Sequence, residues 1–280
     1  MKKPTAVVAT LAGIAAAAGA GAVAFVWSGL YDIAATTPHT QPIYTLLETV
    51  GRQSIRRAAR DIAEPPLDDP AQVRRGAACY RDKCLVCHGG PGVAQGEIGR
   101  SMQPLPGPLV DAKRSFRPRE LYWVIRHGIK MSGMPAWQYR MADADMWAVV
   151  AFMERLPAFG AAAFRAETVD SGEPPCTAAD GDDSADARPD AARGRAALTQ
   201  FACNACHTIP GVTGAQVNVG PPLAGLASRR LIAGRLDNTL DNRVLWIRHP
   251  QRVDPETTMP GLDVGERDAR DMAAYLGTLH

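Results

Sequence analysis

Two five-residue strings hold the most specific chemistry in the 280-residue sequence: Cys84-Leu85-Val86-Cys87-His88 and Cys203-Asn204-Ala205-Cys206-His207. Each sets two thiols one helical turn apart, with an imidazole beside the second. That spacing suits thioether bonds from both thiols to the vinyl groups of one porphyrin, while the adjacent histidine reaches the iron. A C-x-x-C pair also fits a redox disulfide or half of a zinc site. The full string occurs twice, each time followed by Met-Pro and a closing apolar helix, and this repetition favours haem. Two covalently bound haem c groups are therefore expected, attached through Cys84, Cys87, Cys203 and Cys206 and ligated by His88 and His207.

A sixth ligand is expected from a methionine in each half. Met134 stands in Gly133-Met134-Pro135, with Met131 and Met102 as competitors, and Met259 precedes Pro260. A soft thioether favours ferrous iron and raises the potential relative to two imidazoles. His127 and His249 could instead make either iron bis-imidazole, although each follows a Trp-containing helical stretch that it can simply end. Trp123 and Trp246 could be core residues or donate an indole N–H to a haem propionate. Pro108 and Pro221, in Gly-Pro turns, each offer a carbonyl that could accept from the histidine ring and fix its tautomer. An iron with six ligands leaves no open position for substrate, so no catalytic residue is assigned.

These residues recur in one order in two flanking units, residues 71 to 158 and 191 to 280. The first runs Gly76, the C-x-x-C-H string, Gly107-Pro108-Leu109, Trp123-Val124-Ile125-Arg126-His127, Met134-Pro135 and a helix from Asp143 to Leu156. The second runs Gly194, its string, Gly220-Pro221-Pro222-Leu223, Trp246-Ile247-Arg248-His249, Met259-Pro260 and a helix from Gly265 to Leu279. Residues 159 to 190 between them lack periodic apolar positions and hold 8 acidic against 2 basic side chains, which reads as an acidic linker. The first unit has 13 basic against 7 acidic side chains. Cys79 and Cys176 remain after the haem cysteines are assigned, and in an oxidising compartment they are expected to pair.

From Pro4 to Tyr31 there is no charged side chain, enough for a helix across a bilayer roughly 30 Å thick. Lys2 and Lys3 precede this run and Asp32 follows it, so residues 1 to 30 read as a transmembrane anchor with its N-terminus inside and all later residues exported. Ala18-Gly19-Ala20 also resembles a cleavage site, and a signal peptide remains the alternative. Residues 31 to 70 form a connector with an amphipathic helix patterned by Ile43, Leu47, Val50, Ile55, Ala58 and Ile62. Four arginines, at 52, 56, 57 and 60, suit either lipid or partner contact, or a solvated face.

Both units resemble class I cytochromes c. That resemblance implies an all-α fold in which an N-terminal and a C-terminal helix cross at a small residue, with Gly76 and Tyr80 against Trp147 and Val150 in the first unit. In the second unit Leu198 stands at the tyrosine's position, and Tyr275 is expected to supply the aromatic half of the contact. The second unit is similar to the cytochrome c domain fused to subunit II of certain haem-copper oxidases, through Gly220-Pro221-Pro222-Leu223, Ser228-Arg229-Arg230, Asn238-Thr239, Trp246-Ile247-Arg248 and Met259-Pro260. His249-Pro250 departs from the acidic residue expected before that proline, and a copper-binding domain is not recognisable upstream. The function expected is single-electron transfer on the periplasmic face of the inner membrane, with redox partners such as a haem-copper oxidase or a membrane or periplasmic dehydrogenase. An open iron in a dihaem peroxidase or sulfur-compound oxidoreductase is the rival.

Overall fold

The structure is a computed structural model describing residues 3–176, 188–215, 217 and 219–280. It divides into two compact units, Met1–Asp180 and Gly181–His280. The first begins with α1 (Lys3–Ser28), an apolar helix long enough to cross a membrane, none of whose described residues is buried. α2 (Gln41–Ala59) follows, then α3 (Pro70–Cys79), which a π-helical turn over Tyr80–Cys84 carries directly into α4 (Leu85–His88). The short α5 (Glu97–Arg100) and α6 (Ala112–Ser115) lead to α7 (Pro118–His127), α8 (Asp143–Arg155) and α9 (Ala161–Thr168).

The second unit contains α10 (Ala191–Gln200), a hairpin of β1 (Leu231–Ile232) and β2 (Leu236–Asp237), α11 (Leu240–Arg248), α12 (Pro250–Val253) and α13 (Glu266–Leu276). Leu231 pairs with Asp237 and Ile232 with Leu236, antiparallel. That ribbon is a small addition to an otherwise helical fold.

Each unit is organised by one helix crossing, α3 on α8 and α10 on α13. Both first helices start on an aspartate cap: Asp69 accepts from the Ala71 N–H, and Asp190 from those of Ala192 and Arg193. At the crossings a Cβ on Gly76 would lie 1.9 Å from the Ala148 carbonyl oxygen, and one on Gly194 would lie 1.9 Å from that of Asp271. Only glycine permits backbones this close. An ion pair flanks each crossing. Arg75 Nε meets Asp145 Oδ1 at 2.8 Å, and Arg193 Nε lies 2.8 Å from Asp271 Oδ2, near enough for charge contact but not aligned as a hydrogen bond.

The aromatic packing differs from the expected contact. Tyr80 packs on Phe152 and Phe164, with ring centroids 5.3 and 6.0 Å away, while Trp147 stacks on Tyr122 at 4.1 Å. Gly76 therefore meets backbone, and Trp147 looks toward α7.

The expected linker is also shorter than its composition implied. Residues 161–168 are α9, whose Phe164 is fully buried against Tyr80 and Phe152, and Cys176 is joined to Cys79 by a disulfide. Arg75 donates to the carbonyls of Pro174 and Pro175, and Asp82 accepts from the Cys176 N–H. This segment is a strap on the first unit. Residues 177–187 of the expected linker lie outside the described residues.

Candidate haem-binding sites

In the first unit the π-helical turn delivers Cys84 into the core, where it is buried, and α4 presents Cys87 and His88. Loss of water pushes the Cys84 thiol up to about 12, with the neighbouring Cys87 adding to the effect. His88 Nδ1 lies 2.8 Å from the Gly107 carbonyl, which can only accept, so Nδ1 carries the proton and Nε2 keeps its lone pair. Burial lowers the His88 pKa and the Gly107 bond partly offsets this. The neutral ring is the ligating form. Gly89, at φ +62°, ends α4, and its carbonyl accepts from buried Tyr80 Oη at 2.7 Å. Burial raises the Tyr80 pKa, so the phenol stays a donor.

The second unit reaches the same arrangement by another local route. Cys84 stands eight residues after Gly76, whereas Cys203 stands nine after Gly194. Here α10 stops, and Ala202 adopts a left-handed conformation at φ +54° before a 3₁₀ turn over Cys203–Ala205. Desolvation again raises the thiol pKa, at Cys203. His207 Nδ1 donates to the Pro221 carbonyl at 2.8 Å, and the Gly220 N–H donates to the Cys206 carbonyl at 2.8 Å. A Cβ on Gly220 would lie 2.5 Å from His207 Cε1, so the imidazole packs flat on the glycine.

The carbonyl facing the imidazole comes from Pro221 in the second unit but from Gly107, not Pro108, in the first. In that loop Gln95 Nε2 donates to the Pro106 carbonyl, and the next carbonyl along, that of Gly107, is left to turn to His88. The acceptor is a backbone atom, so a one-residue change in register changes the residue without changing the chemistry.

Met134 and Met259 sit half-buried on loops after α7 and α11. Both loops share a device that sequence reading passed over. Ser132 Oγ accepts from the Met134 N–H at 3.2 Å, and Thr257 Oγ1 from the Met259 N–H at 3.3 Å. A hydroxyl two residues before the methionine makes a local turn that sets its backbone. Gln251 Nε2 also donates to the Met259 carbonyl. Met131 is 93% exposed, while Met102 Sδ lies 2.5 Å from where a Gly133 Cβ would stand and so backs the Met134 loop.

Trp123 and Trp246 are half-buried on α7 and α11. His127 is exposed beside the Trp123 ring at 5.1 Å, and His249 closes α11 by donating its N–H to the Leu245 carbonyl at 2.9 Å. The arginine before each histidine reaches the start of the closing helix: Arg126 bonds Asp143 Oδ1 at 2.5 Å, and Arg248 bonds Glu266. Carboxylates at helix N-termini are favoured there, and these arginines tie the ligand-bearing half of each unit to them.

Cys84, Cys87, Cys203 and Cys206 take part in no disulfide among the described residues. Each unit thus offers two thiols, an imidazole with Nε2 available and a half-buried thioether, a donor set that fits a covalently attached porphyrin.

Residues 71–153 match the family model for cytochrome c oxidase, cbb3-type, subunit III, and residues 191–280 match the cytochrome c family model. Cytochrome c oxidase subunit 2 of Alkalihalophilus pseudofirmus is 34% identical over 88 residues, 31% of this chain and 25% of that protein. The match therefore spans a quarter of the relative's length.

Proposed function

We propose that this chain, which carries two tandem cytochrome c domains, is a membrane-anchored carrier that passes single electrons through two covalent haems on the periplasmic face of the inner membrane. The observation carrying this reading is the same ligand set built twice, with each histidine ring held by a backbone carbonyl and each methionine by a hydroxyl turn. Haem c, when bound, supplies an iron that takes up and releases one electron. His88 and His207 would ligate it through Nε2, their orientation held at Nδ1 by Gly107 and Pro221. Met134 and Met259 would supply the remaining protein ligand to each iron, which would leave no position for water or substrate. Cys84, Cys87, Cys203 and Cys206 would hold each group through thioether bonds, and Trp123 and Trp246, half-buried on α7 and α11, would offer an indole N–H to the propionates.

A haem-copper oxidase is the acceptor this reading favours, because the relative that matches is an oxidase subunit. Donation from a membrane or periplasmic dehydrogenase would complete the path. The test mixes the reduced full-length holoprotein with a purified haem-copper oxidase in oxygenated nanodiscs and follows reoxidation of both haems. Rapid reoxidation that needs the oxidase supports the carrier. Direct, fast reaction of either haem with peroxide or cyanide would identify an open iron and favour a peroxidase.

A further inference from the structure

We propose that α2 lies on the membrane surface, with the aliphatic stripe Ile43, Leu46, Leu47 and Val50 seated among lipid acyl chains, and so orients the first haem domain. The inference rests on reading α1 as a retained anchor.

α2 has two apolar faces, and the protein covers one. On its C-terminal half Ile55 and Ala59 are buried, Ile62 and Leu67 beyond it pack against the first unit's core, and Arg52 lies over the Phe116 ring at 5.7 Å. These contacts join α2 to α7, which bears Trp123. The stripe 43, 46, 47, 50 follows the i, i+3, i+4, i+7 pattern of a single helix face. At 100° per residue it points roughly 150° away from Ile55 and Ala59, so it does not extend the docked face. Leu46, Leu47 and Val50 are 62%, 54% and 58% exposed.

Lipid is the occupant that charge and chain connection support. Arg57 stands two turns beyond Val50, in line with the stripe, and Arg56 beside it is exposed as well. The nearby acidic groups are already taken, Glu48 by Arg52 and Asp61 by Arg60, both at 2.9 Å. Aliphatic side chains beside arginines suit an interface of anionic headgroups over acyl chains. Residues 29–40 separate α1 from α2, and twelve residues reach at most about 40 Å. That connector itself exposes Leu30, Tyr31 and Ile33. Four aliphatic side chains over two turns fall well short of the roughly 800 Å² each partner contributes to a stable dimer.

The test places a spin label at one of three positions in the full-length holoprotein, with Leu47→Cys on the stripe, Thr49→Cys on the polar side and Ile14→Cys within α1. Cys79 and Cys176 are paired, and the haem cysteines are bound on the reading above, which leaves the introduced thiol to label. The haems are kept ferrous so that they do not broaden the signal. In phosphatidylglycerol vesicles the labels at 14 and 47 should meet dissolved oxygen in preference to a water-soluble nickel chelate, with 47 about 5–10 Å deep, and the label at 49 should show the opposite preference. A label at 47 that prefers nickel while 14 prefers oxygen overturns the α2 contact and leaves the anchor standing. Nickel preference at both 14 and 47 overturns the anchor and the contact together. Shielding of 47 from both reagents means a protein surface covers the stripe, and overturns the lipid contact.

Discussion

Gly220, against the His207 ring, is the residue on which the second proposed site turns. Gly220→Ala would set a methyl group 2.5 Å from His207 Cε1 and force the ring off its bond to Pro221. Crowding of this kind costs roughly 1–3 kcal/mol. The expected outcome is a lower potential and weaker axial bonding at the second haem alone, read by redox titration. Gly107→Ala meets nothing within 4 Å and should change neither haem. The methionines allow a matching comparison. Met134→Ala should open the first iron to cyanide and lower its potential, since water is a poorer partner for ferrous iron than thioether sulfur. Met131→Ala, at a fully solvated position, should behave as wild type, and cyanide binding by that variant instead would make Met131 the ligand. The proposed attachment and histidine ligands could be named from the sequence because covalent attachment would demand an unbroken local string. The acceptor of the His88 proton was not, since backbone carbonyls carry no residue signature; Gln95, eleven residues away, holds only the neighbouring Pro106 carbonyl. The hydroxyl turns at Ser132 and Thr257 were legible in principle, as Ser-x-Met and Thr-x-Met.

At the scale of elements, the two crossing pairs were readable from Gly76 and Gly194, and the strap was not. Eight residues of helix, half of them alanine, show little periodicity, and of the side chains of α9 it is Phe164 that joins the apolar core. That side chain fills the space beside Gly90, where a Cβ would lie 2.3 Å from its ring, and so presses on the loop that follows His88. Phe164→Ala should destabilise the first unit by roughly 3–5 kcal/mol, the usual loss for an aromatic core residue. Cys176→Ser should cost roughly 2–4 kcal/mol by freeing the strap. Denaturant melts followed at the first haem should shift in both variants while the second unit's transition stays in place. A common shift of both transitions would show that the strap supports more than its own unit.

For the whole molecule, on the proposed reading, tandem placement behind an apolar helix would make two small carriers one tethered relay. Tethering raises the effective concentration of the haems at membrane partners without altering their chemistry. Removing residues 1 to 30 behind a cleavable signal should therefore leave a soluble protein with unchanged spectra and a reduced supply of electrons to membrane oxidase. Excess protein should restore much of that supply. Failure of any excess to restore it would place residues 1 to 30 in a specific contact within a stable complex. Each of these outcomes requires that each unit covalently hold its own haem. The most direct measurement is the haem-to-chain ratio by pyridine haemochrome on denatured, quantified protein. Two haems per chain are expected, with one in the Cys84→Ser, Cys87→Ser double variant and one in the Cys203→Ser, Cys206→Ser double variant. A ratio of one in the unaltered chain, or haem that extracts into acid acetone, contradicts it.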